Sequence, residues 1–317
     1  MRFLVTGGAG FVGHTVVRSL LQEGHQVRVL DKVAGRLAGL AHPGLELLRG
    51  GVEETDKVRR AVDGVEVVYH MAESFLSDPI QVFDIDVRGT LNLLEASAQA
   101  GVRHFLFTST ARVYGKPRSR RVNELHPLMP EQAGQPLYAV SKVTAEKLCL
   151  LYGKERQLPV TIFRFWWAYF SEIGGRALRN MADAALRGQV IRVPQEAGGS
   201  FLHNDDTALA LRLATLNEKA FGQAFNLSSG FYTTWEEMAR MVHELAASSS
   251  PIEVVSRQEW TGHPSVGTDS NIPDVWDLDI AQARRLLGFR PCHSPRKGKE
   301  QLKEALAWLV EGRKAQK

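Results

Sequence analysis

The first half of the chain alternates between short apolar runs and longer segments in which apolar residues recur every three or four positions. The short runs predict β-strands, and the longer segments predict amphipathic helices. We predict strands at 2–6, 26–30, 45–48, 65–69, 102–107 and 159–163. We predict helices at 11–23, 54–62 and about 138–154, and a further helix through Leu91, Leu94 and Ala98 that ends at Gly101.

Apolar strands separated by helix-length segments indicate a parallel sheet with helices on both faces. The predicted fold class is therefore α/β, with a doubly wound parallel Rossmann sheet. From Gly174 onward the elements are shorter and mixed, with turns rich in Gly, Ser and Pro. We assign residues 1–166, with parts of about 204–227, to the sheet domain. The remainder of 167–317 forms a smaller C-terminal lobe over the carboxyl ends of the strands, where such sheets bind ligands.

Composition narrows the classes of protein that fit this pattern. Of the 317 residues 44 % are apolar and 23 % are charged, which is ordinary for a globular chain. No apolar run approaches the roughly 20 residues that span a bilayer, and the first strand leads at once into a glycine-rich turn. Cys149 and Cys292 are too few for a disulfide framework. We therefore expect a cytoplasmic protein without a membrane partner, with Cys149 packed in the core.

The net charge is +4, and part of the excess lies in the last twenty residues. Leu302, Leu306 and Leu309 give this basic segment an apolar stripe, which predicts a solvated helix. We expect no nucleic-acid partner, because no recognition motif accompanies the charge.

The first strand runs into a turn with glycine at every third position, Gly7, Gly10 and Gly13. A tight turn, a close approach to a pyrophosphate and close packing of helix on strand each exclude a Cβ. The N-terminus of the following helix presents free N–H groups and a partial positive charge to phosphates. Because the pattern lies between a strand and a helix, it predicts a dinucleotide site.

Asp31 closes the second strand, about twenty residues after the glycines. Its carboxylate can accept a hydrogen bond from the adenosine ribose and would repel a 2′-phosphate. NAD is therefore favoured over NADP. Lys32 and Arg36 are the cations that could offset this charge.

Tyr138 and Lys142 lie four residues apart in a predicted helix, so both side chains share one face. A free tyrosine has a pKa of about 10, and a neighbouring ammonium and an oxidised nicotinamide both favour the phenolate. We predict that the pKa of Tyr138 falls and that Tyr138 exchanges a proton with the substrate. Lys142 can also bind the nicotinamide ribose. Thr110, at the carboxyl end of the fifth strand, would hold the substrate oxygen.

With these motifs the chain resembles the extended short-chain dehydrogenases/reductases of the NAD-dependent epimerase/dehydratase family over nearly its whole length. The matching stretches, in chain order, are 6–13, 70–72, 87–95, 108–115, 138–142, 201–206 and 279–291. The resemblance implies that Thr110, Tyr138 and Lys142 are catalytic. It implies an NAD site formed by Gly7, Gly10, Phe11, Val12, Gly13, Asp31, Lys32, Val52, Met71, Ala72, Tyr138 and Lys142. The candidate substrate residues are Glu73, Thr110, Ala111, Arg112, Trp166 and Trp167.

The resemblance leaves the reaction open. Dehydratases of this family carry two acidic residues after the catalytic threonine, whereas Ala111 and Arg112 follow Thr110 here, so we expect no dehydration. The site favours a sugar or nucleotide-sugar epimerase. A dehydrogenase or reductase acting on a sugar acid or another secondary alcohol is the alternative. A non-catalytic NAD sensor is a third interpretation, which the intact Thr110, Tyr138 and Lys142 disfavour.

Two positions depart from the usual nucleotide-sugar pocket. Trp167 stands where these enzymes commonly have an Asn that holds the diphosphate, and 198–200 reads Gly-Gly-Ser where an Arg is common. The aromatic residues Trp166, Trp167, Tyr169 and Phe170 either stack on a sugar or an apolar ring or pack the lobe interface.

The loop after the fifth strand is basic, with Lys116, Arg118, Arg120 and Arg121. It either captures a phosphate or carboxylate of the substrate or is a solvated loop. We predict a homodimer in which segments 79–100 and 138–154 pair with their copies, and we predict no metal.

Overall fold

The computed structural model describes residues 1–74, 76–117, 119–256, 259 and 275–316. Its strands are β1 (Arg2–Thr6), β2 (Gln26–Asp31), β3 (Leu45–Arg49), β4 (Val67–His70), β5 (His104–Thr110), β6 (Arg121–Val122), β7 (Val160–Phe165), β8 (Trp167–Tyr169), β9 (Ile191–Pro194), β10 (Gly198–Gly199), β11 (Phe201–His203), β12 (Gln223–Asn226), β13 (Thr233–Thr234), β14 (Ile252–Val255) and β15 (Val275–Leu278).

The α-helices are α1 (Gly13–Gln22), α2 (Thr55–Val62), α3 (Pro79–Phe83), α4 (Gly89–Gln99), α5 (Pro136–Glu155), α6 (Arg176–Leu186), α7 (Asn204–Ala214), α8 (Trp235–Leu245), α9 (Ala281–Leu287) and α10 (Pro295–Lys314). Short 3₁₀ helices lie at Gly35–Leu37, Ala111–Tyr114, Pro130–Gln132 and Glu218–Ala220, and a π-helix lies at Asp84–Arg88.

Seven of the described strands form one parallel sheet in the order β12-β7-β5-β4-β1-β2-β3. Strands β2 and β3 lie on one side of β1, and the later strands β4, β5 and β7 lie on its other side. The order therefore reverses between β1 and β4, which is where open α/β sheets form a ligand crevice beyond their carboxyl ends. The glycine turn follows β1, and residues 71–74 follow β4.

The alternation of side chains along the strands divides the core between the two faces of the sheet. Phe3 and Val5 of β1 point into a core that α1, α7 and α9 complete. Leu4 points into the opposite core, with α2, α4 and α5. Cys149 is fully buried in this second core, as predicted. Both faces are therefore covered, and the predicted doubly wound α/β class is confirmed.

The later part of the chain builds a separate core but also returns to the sheet. Tyr169, Phe201 and Trp235 are buried where α6, α8 and α10 pack on β8, β9 and β11. Two elements instead belong to the sheet layers, since β12 pairs with β7 and α7 packs on α1. The basic helix α10 buries Leu302, Leu306 and Leu309, the predicted apolar stripe.

The predicted elements of the first half are present, and their ends differ by a few residues. Helix α1 begins at Gly13 rather than Phe11 because the glycine turn occupies the preceding residues. Strand β5 begins at His104 and continues to Thr110, where Thr108, Ser109 and Thr110 pair with β7. Pairing with β7 satisfies the backbone hydrogen bonds of these three residues regardless of side-chain polarity. The apolar pattern therefore predicted a strand that ends too early. None of the described helices combines the length and the apolarity needed to cross a membrane.

Candidate active site

The glycine turn is held against the loop that follows β4. Gly7 has a φ of 68°, and a Cβ there would lie 2.8 Å from the Ala72 backbone nitrogen. A Cβ on Gly13 would lie 2.2 Å from the Gly7 carbonyl oxygen. Both glycines are therefore required by backbone contacts at the crevice. Helix α1 begins here with Val12 at its N-cap, which has no polar side chain to occupy the helix N-terminus. This turn fits a pyrophosphate group.

Asp31 braces the same turn. One carboxylate oxygen accepts a hydrogen bond from the Ala9 nitrogen at 3.0 Å, and the other accepts one from the Val33 nitrogen at 3.3 Å. An ionised carboxylate has about four acceptor sites, so both bonds leave acceptors for a ribose hydroxyl. Asp31 thus links the end of β2 to the glycine turn.

The two cations near Asp31 are engaged with carboxylates. Lys32 forms an ion pair with Glu53 at 2.7 Å. Arg36 forms an ion pair with Glu172 and lies 5.1 Å from the centre of the Phe11 ring. These pairs reduce the positive charge that could attract a 2′-phosphate.

A buried polar network lies beneath the cofactor turn. The Thr6 hydroxyl lies 2.8 Å from His70 Nδ1, and His70 Nε2 lies 2.9 Å from the Thr90 hydroxyl. Thr6 also accepts hydrogen bonds from the backbone nitrogens of Met71 and Ala72, each at 3.2 Å. Burial and the Lys142 charge hold the pKa of His70 well below its usual range, so the imidazole is neutral. The network sets the position of the residues that face Gly7.

Other predicted cofactor residues support this region. Val52 is buried, and a Cβ on Gly89 at the start of α4 would lie 2.4 Å from its Cγ2 atom. Asn204, at the start of α7, donates a hydrogen bond to the Phe11 carbonyl at 2.8 Å. The sequence contained Asn204 only within a family motif, and no periodicity links α7 to the glycine turn.

Tyr138 and Lys142 share one face of α5, as their spacing predicts. The Tyr138 hydroxyl donates a hydrogen bond to Glu73 Oε2 at 2.6 Å. The Lys142 ammonium lies 3.7 Å from the same oxygen and 4.4 Å from the centre of the Phe107 ring. Only 1 % of the Lys142 side chain is exposed, so its charge acts in a shielded environment.

The predicted lowering of the Tyr138 pKa by Lys142 and oxidised nicotinamide stays a prediction, and the fold adds groups that oppose it. Burial raises the pKa of Tyr138 well above its ordinary value, and the Glu73 carboxylate raises it further. The Arg112 charge opposes these effects but does not outweigh them. The fold adds a carboxylate from the loop after β4, which the Tyr-Lys spacing on one helix does not reveal.

Asp86 is a buried carboxylate that no motif in the sequence indicated. It accepts hydrogen bonds from the Ser141 hydroxyl at 2.7 Å and from the Ser74 nitrogen at 2.9 Å. Burial raises the pKa of Asp86, while the Lys142 charge opposes that shift. It lies in the π-helix Asp84–Arg88, and such single turns are frequent at functional sites. Asp86 ties α5 to the loop after β4.

Thr110 ends β5 at the same edge of the sheet. Its hydroxyl oxygen accepts a hydrogen bond from the Arg112 nitrogen at 3.3 Å and caps the 3₁₀ helix Ala111–Tyr114. Ala111 is buried. Arg112 is half-buried, and its charge acts on Tyr138.

One departure from the nucleotide-sugar pattern, Gly199, lies against Trp166, the residue before the other departure, Trp167. A Cβ on Gly199 would lie 1.9 Å from the Trp166 ring, so the glycine makes room for the indole. Trp166 and Trp167 are partly exposed and pack against Phe201 and Trp235. Their predicted contact with substrate remains a prediction.

Tyr169 and Phe170 differ in how far they are buried. Tyr169 is fully buried and donates a hydrogen bond to the Gly298 carbonyl at 3.0 Å, so its ring packs the lobe. Phe170 is partly exposed beside His203 and His14.

The positive charge of the basic loop after the 3₁₀ helix Ala111–Tyr114 is partly neutralised. Arg121 forms an ion pair with Asp279 at 3.2 Å, and Arg120 lies 5.7 Å from the centre of the Tyr232 ring. Lys116 is exposed. Arg118 lies outside the described residues. The two arginines therefore connect this loop to neighbouring elements.

Comparison with known proteins identifies relatives over the whole chain. The sequence profile of the NAD dependent epimerase/dehydratase family matches residues 3–228. A UDP-N-acetyl-alpha-D-glucosaminuronate decarboxylase from Bacillus cytotoxicus is 28 % identical, covering 98 % of each chain. A 3 beta-hydroxysteroid dehydrogenase/Delta 5-->4-isomerase from Mycobacterium tuberculosis is 30 % identical and covers 98 % of this chain and 90 % of the relative.

Solved structures agree with this result. The dTDP-glucose 4,6-dehydratase DesIV from Streptomyces venezuelae, with NAD and TYD bound, superimposes with a TM-score of 0.80. It is 25 % identical, with 99 % of this chain and 98 % of that chain covered. The relatives thus include a decarboxylase, a dehydrogenase and a dehydratase.

Proposed function

The chain belongs to the NAD-dependent epimerase/dehydratase family of extended short-chain dehydrogenases/reductases, and from that premise we propose that it is an epimerase of a sugar or sugar nucleotide. The observation that carries the proposal is the shared face of Tyr138 and Lys142 on α5, where the Lys142 ammonium lies 4.4 Å from the ring of Phe107 in β5, the strand that ends at Thr110. The carboxyl edge of the sheet, where β5 ends, adjoins the glycine turn after β1. The proposed reaction removes hydrogen from a secondary alcohol and returns it to the other face of the transient ketone.

The residues of the glycine turn fit NAD. Gly7 and Gly13 leave room for a pyrophosphate, and Asp31 retains acceptors for the adenosine ribose. When bound, NAD supplies the hydride acceptor and donor. Lys142 would hold the nicotinamide ribose, and its shielded charge would favour loss of a proton at the Tyr138 hydroxyl.

Thr110 and Tyr138 are the two side chains that would contact the substrate hydroxyl. Thr110 would orient the substrate oxygen from the end of β5, and Tyr138 would exchange the proton. The exposed parts of Trp166 and Trp167 support a sugar substrate, because indole faces stack on sugar rings.

A net dehydrogenase is the second candidate. It is favoured by the similarity to a dehydrogenase at 30 % identity over 98 % of this chain. It is also favoured by Trp167 and Gly199, which stand near positions where nucleotide-sugar enzymes commonly hold a diphosphate with polar side chains. The same Tyr138 and Lys142 serve both reactions, so product analysis has to separate them.

The test is incubation with NAD and a panel of free sugars, UDP-sugars and dTDP-sugars. NADH absorbance and product stereochemistry are followed together. An epimerase gives a new stereoisomer without net NADH, whereas a dehydrogenase accumulates NADH. Release of carbon dioxide or water from the substrate would contradict epimerisation.

Tyr138→Phe tests the site itself, because it removes only the proposed proton-transfer hydroxyl. Turnover should fall by about 10²–10⁴-fold while NAD affinity is kept, since general acid–base catalysis has that magnitude. Tyr152→Phe is the matched control, because Tyr152 lies on the same helix and also donates to a glutamate, Glu95, at 2.8 Å. Near-native turnover of Tyr138→Phe would remove the proposed base.

A further inference from the structure

Two histidines and an aspartate meet where the C-terminal lobe joins the layers of the large sheet. His203 ends β11, Asp205 lies in the first turn of α7, and His293 lies in the loop between α9 and α10. One nitrogen or oxygen atom of each side chain lies within 4.8 Å of those of the other two. The two imidazole rings stand edge to face, with their centres 5.7 Å apart. These are the side-chain types that bind transition metals.

The distances within the cluster suit a small metal ion. His203 Nδ1 lies 3.6 Å from Asp205 Oδ2. Ligand atoms of a tetrahedral zinc ion stand roughly 3.3 Å apart, because its bonds to nitrogen and oxygen are about 2.0–2.2 Å long. The Nδ1 lone pair already faces Asp205, since it accepts a long hydrogen bond of 3.3 Å from the Asp205 nitrogen. A metal ion at Nδ1 would replace this bond, and a rotation of the His293 side chain would complete the set.

The buried residue Asp206 of α7 fixes the backbone on both sides of the cluster. Its carboxylate accepts a hydrogen bond from the nitrogen of Cys292, the residue before His293, at 2.6 Å. The carboxylate also accepts a hydrogen bond from the Ser229 hydroxyl. The Ser229 oxygen in turn accepts one from the His203 nitrogen at 2.8 Å. One carboxylate thus sets the positions of both histidines, as the outer shell of a metal site does for its ligands.

The cluster has a shielded inner side and an open outer side. His203 is 4 % exposed, and its ring centre lies 5.1 Å from that of Tyr169 and 5.3 Å from that of Phe170. By contrast, 47 % of the Asp205 side chain is exposed, and His293 is half-buried. An ion bound here would have aromatic rings on one side and solvent on the other, so water could complete its coordination.

We propose that His203, Asp205 and His293 bind a divalent first-row transition-metal ion such as zinc. Imidazole suits zinc, copper, iron and nickel, whereas magnesium and calcium prefer oxygen ligands. The ion would tie the loop before α10 to the first turn of α7. Asn204 in that turn donates a hydrogen bond to the Phe11 carbonyl, so the tie joins the lobe to the glycine turn.

The role of the proposed ion is structural, and the site does not depend on the proposed epimerisation. No metal is predicted from the sequence alone, because the three ligands come together only in the fold. His203 and Asp205 are two positions apart, but His293 approaches them from a separate loop.

Zinc titration tests the site on the 317-residue chain, freed of metal by a chelator and carrying no polyhistidine tag. Calorimetry should give one zinc ion per chain. His293→Ala and Asp205→Asn should each weaken binding by at least about 10–100-fold, a loss that metal sites show even for changes to outer-shell partners. Both replaced side chains are partly exposed, so both variants should fold.

Two further variants separate the proposed ligands from other zinc-binding groups. His25→Ala should bind zinc like the wild type, because His25 lies 3.7 Å from Glu23 but belongs to no such three-residue group among the described residues. Cys292→Ser should also keep its affinity, although Cys292 is an exposed thiol beside His293. A loss in Cys292→Ser as large as that in His293→Ala would assign the ion to the thiol. That result, or equal binding by His293→Ala and the wild type, would overturn the proposed site.

Thermal unfolding provides a second measurement that needs neither substrate nor NAD. Zinc should raise the unfolding midpoint of the wild type, because an ion that binds the folded chain stabilises it by mass action. The same concentration of magnesium should leave the midpoint unchanged, and zinc should not raise the midpoint of His293→Ala. Equal shifts with zinc and magnesium would indicate unspecific cation binding and would refute the proposal.

Discussion

At the scale of single residues, Asp31 combines two tasks. It holds the glycine turn through Ala9 and presents the remaining acceptor sites of its carboxylate toward the adenosine ribose. Lys32 and Arg36 are paired with Glu53 and Glu172, so the negative charge of Asp31 is not offset by free cations at these positions. This arrangement supports our proposal that the chain uses NAD rather than NADP.

Titration of the purified protein should therefore show tighter binding of NAD than of NADP. Asp31→Asn should reduce that preference by about 10- to 100-fold, because a hydrogen bond to a charged group contributes about 1.5–3 kcal/mol. Isothermal titration calorimetry measures both affinities. Glu46→Gln is the control, since Glu46 pairs with Arg28 in the outer part of the sheet. Equal affinities in the wild type would contradict the assignment and would point to Lys32 and Arg36.

At the scale of elements, a buried ion pair fixes the catalytic helix to the sheet. Arg164 of β7 donates two hydrogen bonds to Glu146 of α5, at 2.9 and 2.6 Å, and both side chains are buried. Burial by itself lowers the pKa of Arg164, but the adjacent Glu146 carboxylate outweighs this effect and raises the pKa above its ordinary value. Tyr114 accepts a third hydrogen bond from Arg164 at 3.1 Å. The pair sets the position of α5, which carries Tyr138 and Lys142.

Glu146→Gln should lower the free energy of unfolding by about 3–5 kcal/mol, because it leaves the Arg164 charge buried and uncompensated. Urea denaturation measures this change. Glu155→Gln is the control on the same helix, since Glu155 and its partner Lys154 are both exposed and such pairs contribute about 0–1 kcal/mol. A loss no larger in Glu146→Gln than in Glu155→Gln would show that the buried pair does not hold the helix.

At the scale of the whole molecule, α3, α4 and α5 expose apolar side chains along the segments predicted to pair. The exposed residues include Ile80 at 74 %, Leu91 at 38 % and Leu151 at 50 %. Helix α4 packs directly against α5, so Leu91 and Leu151 belong to neighbouring elements. We propose that a second copy of the chain covers these side chains about a two-fold axis.

Light scattering at micromolar concentration should accordingly give the mass of a dimer. The double variant Leu91→Glu, Leu151→Glu should be monomeric, because two copies would bring four carboxylates into one interface. Leu125→Glu should remain dimeric, since Leu125 is 90 % exposed but lies on none of these helices. A monomeric wild type would refute the proposed assembly.

The sequence alone determined the features that depend on local spacing. Periodic apolar residues predict the strands and helices, three glycines between β1 and α1 predict the dinucleotide turn, and four residues of helix bring Tyr138 beside Lys142. The place of Thr110 at the carboxyl end of the predicted fifth strand indicated it as their partner, and the family resemblance agreed.

Only the tertiary structure decided what surrounds these groups. Glu73 reaches the Tyr138 hydroxyl across 65 positions of sequence, and Asp86 reaches Ser141 across 55. Gly199 of β10 likewise makes room for Trp166, which lies between β7 and β8. Such contacts follow from the order of strands in the sheet, which brings distant carboxyl ends to one edge and leaves no periodic trace in the chain. The pKa of Tyr138 depends on burial and on these neighbours, so the local Tyr-Lys spacing does not by itself contain all the groups that set it.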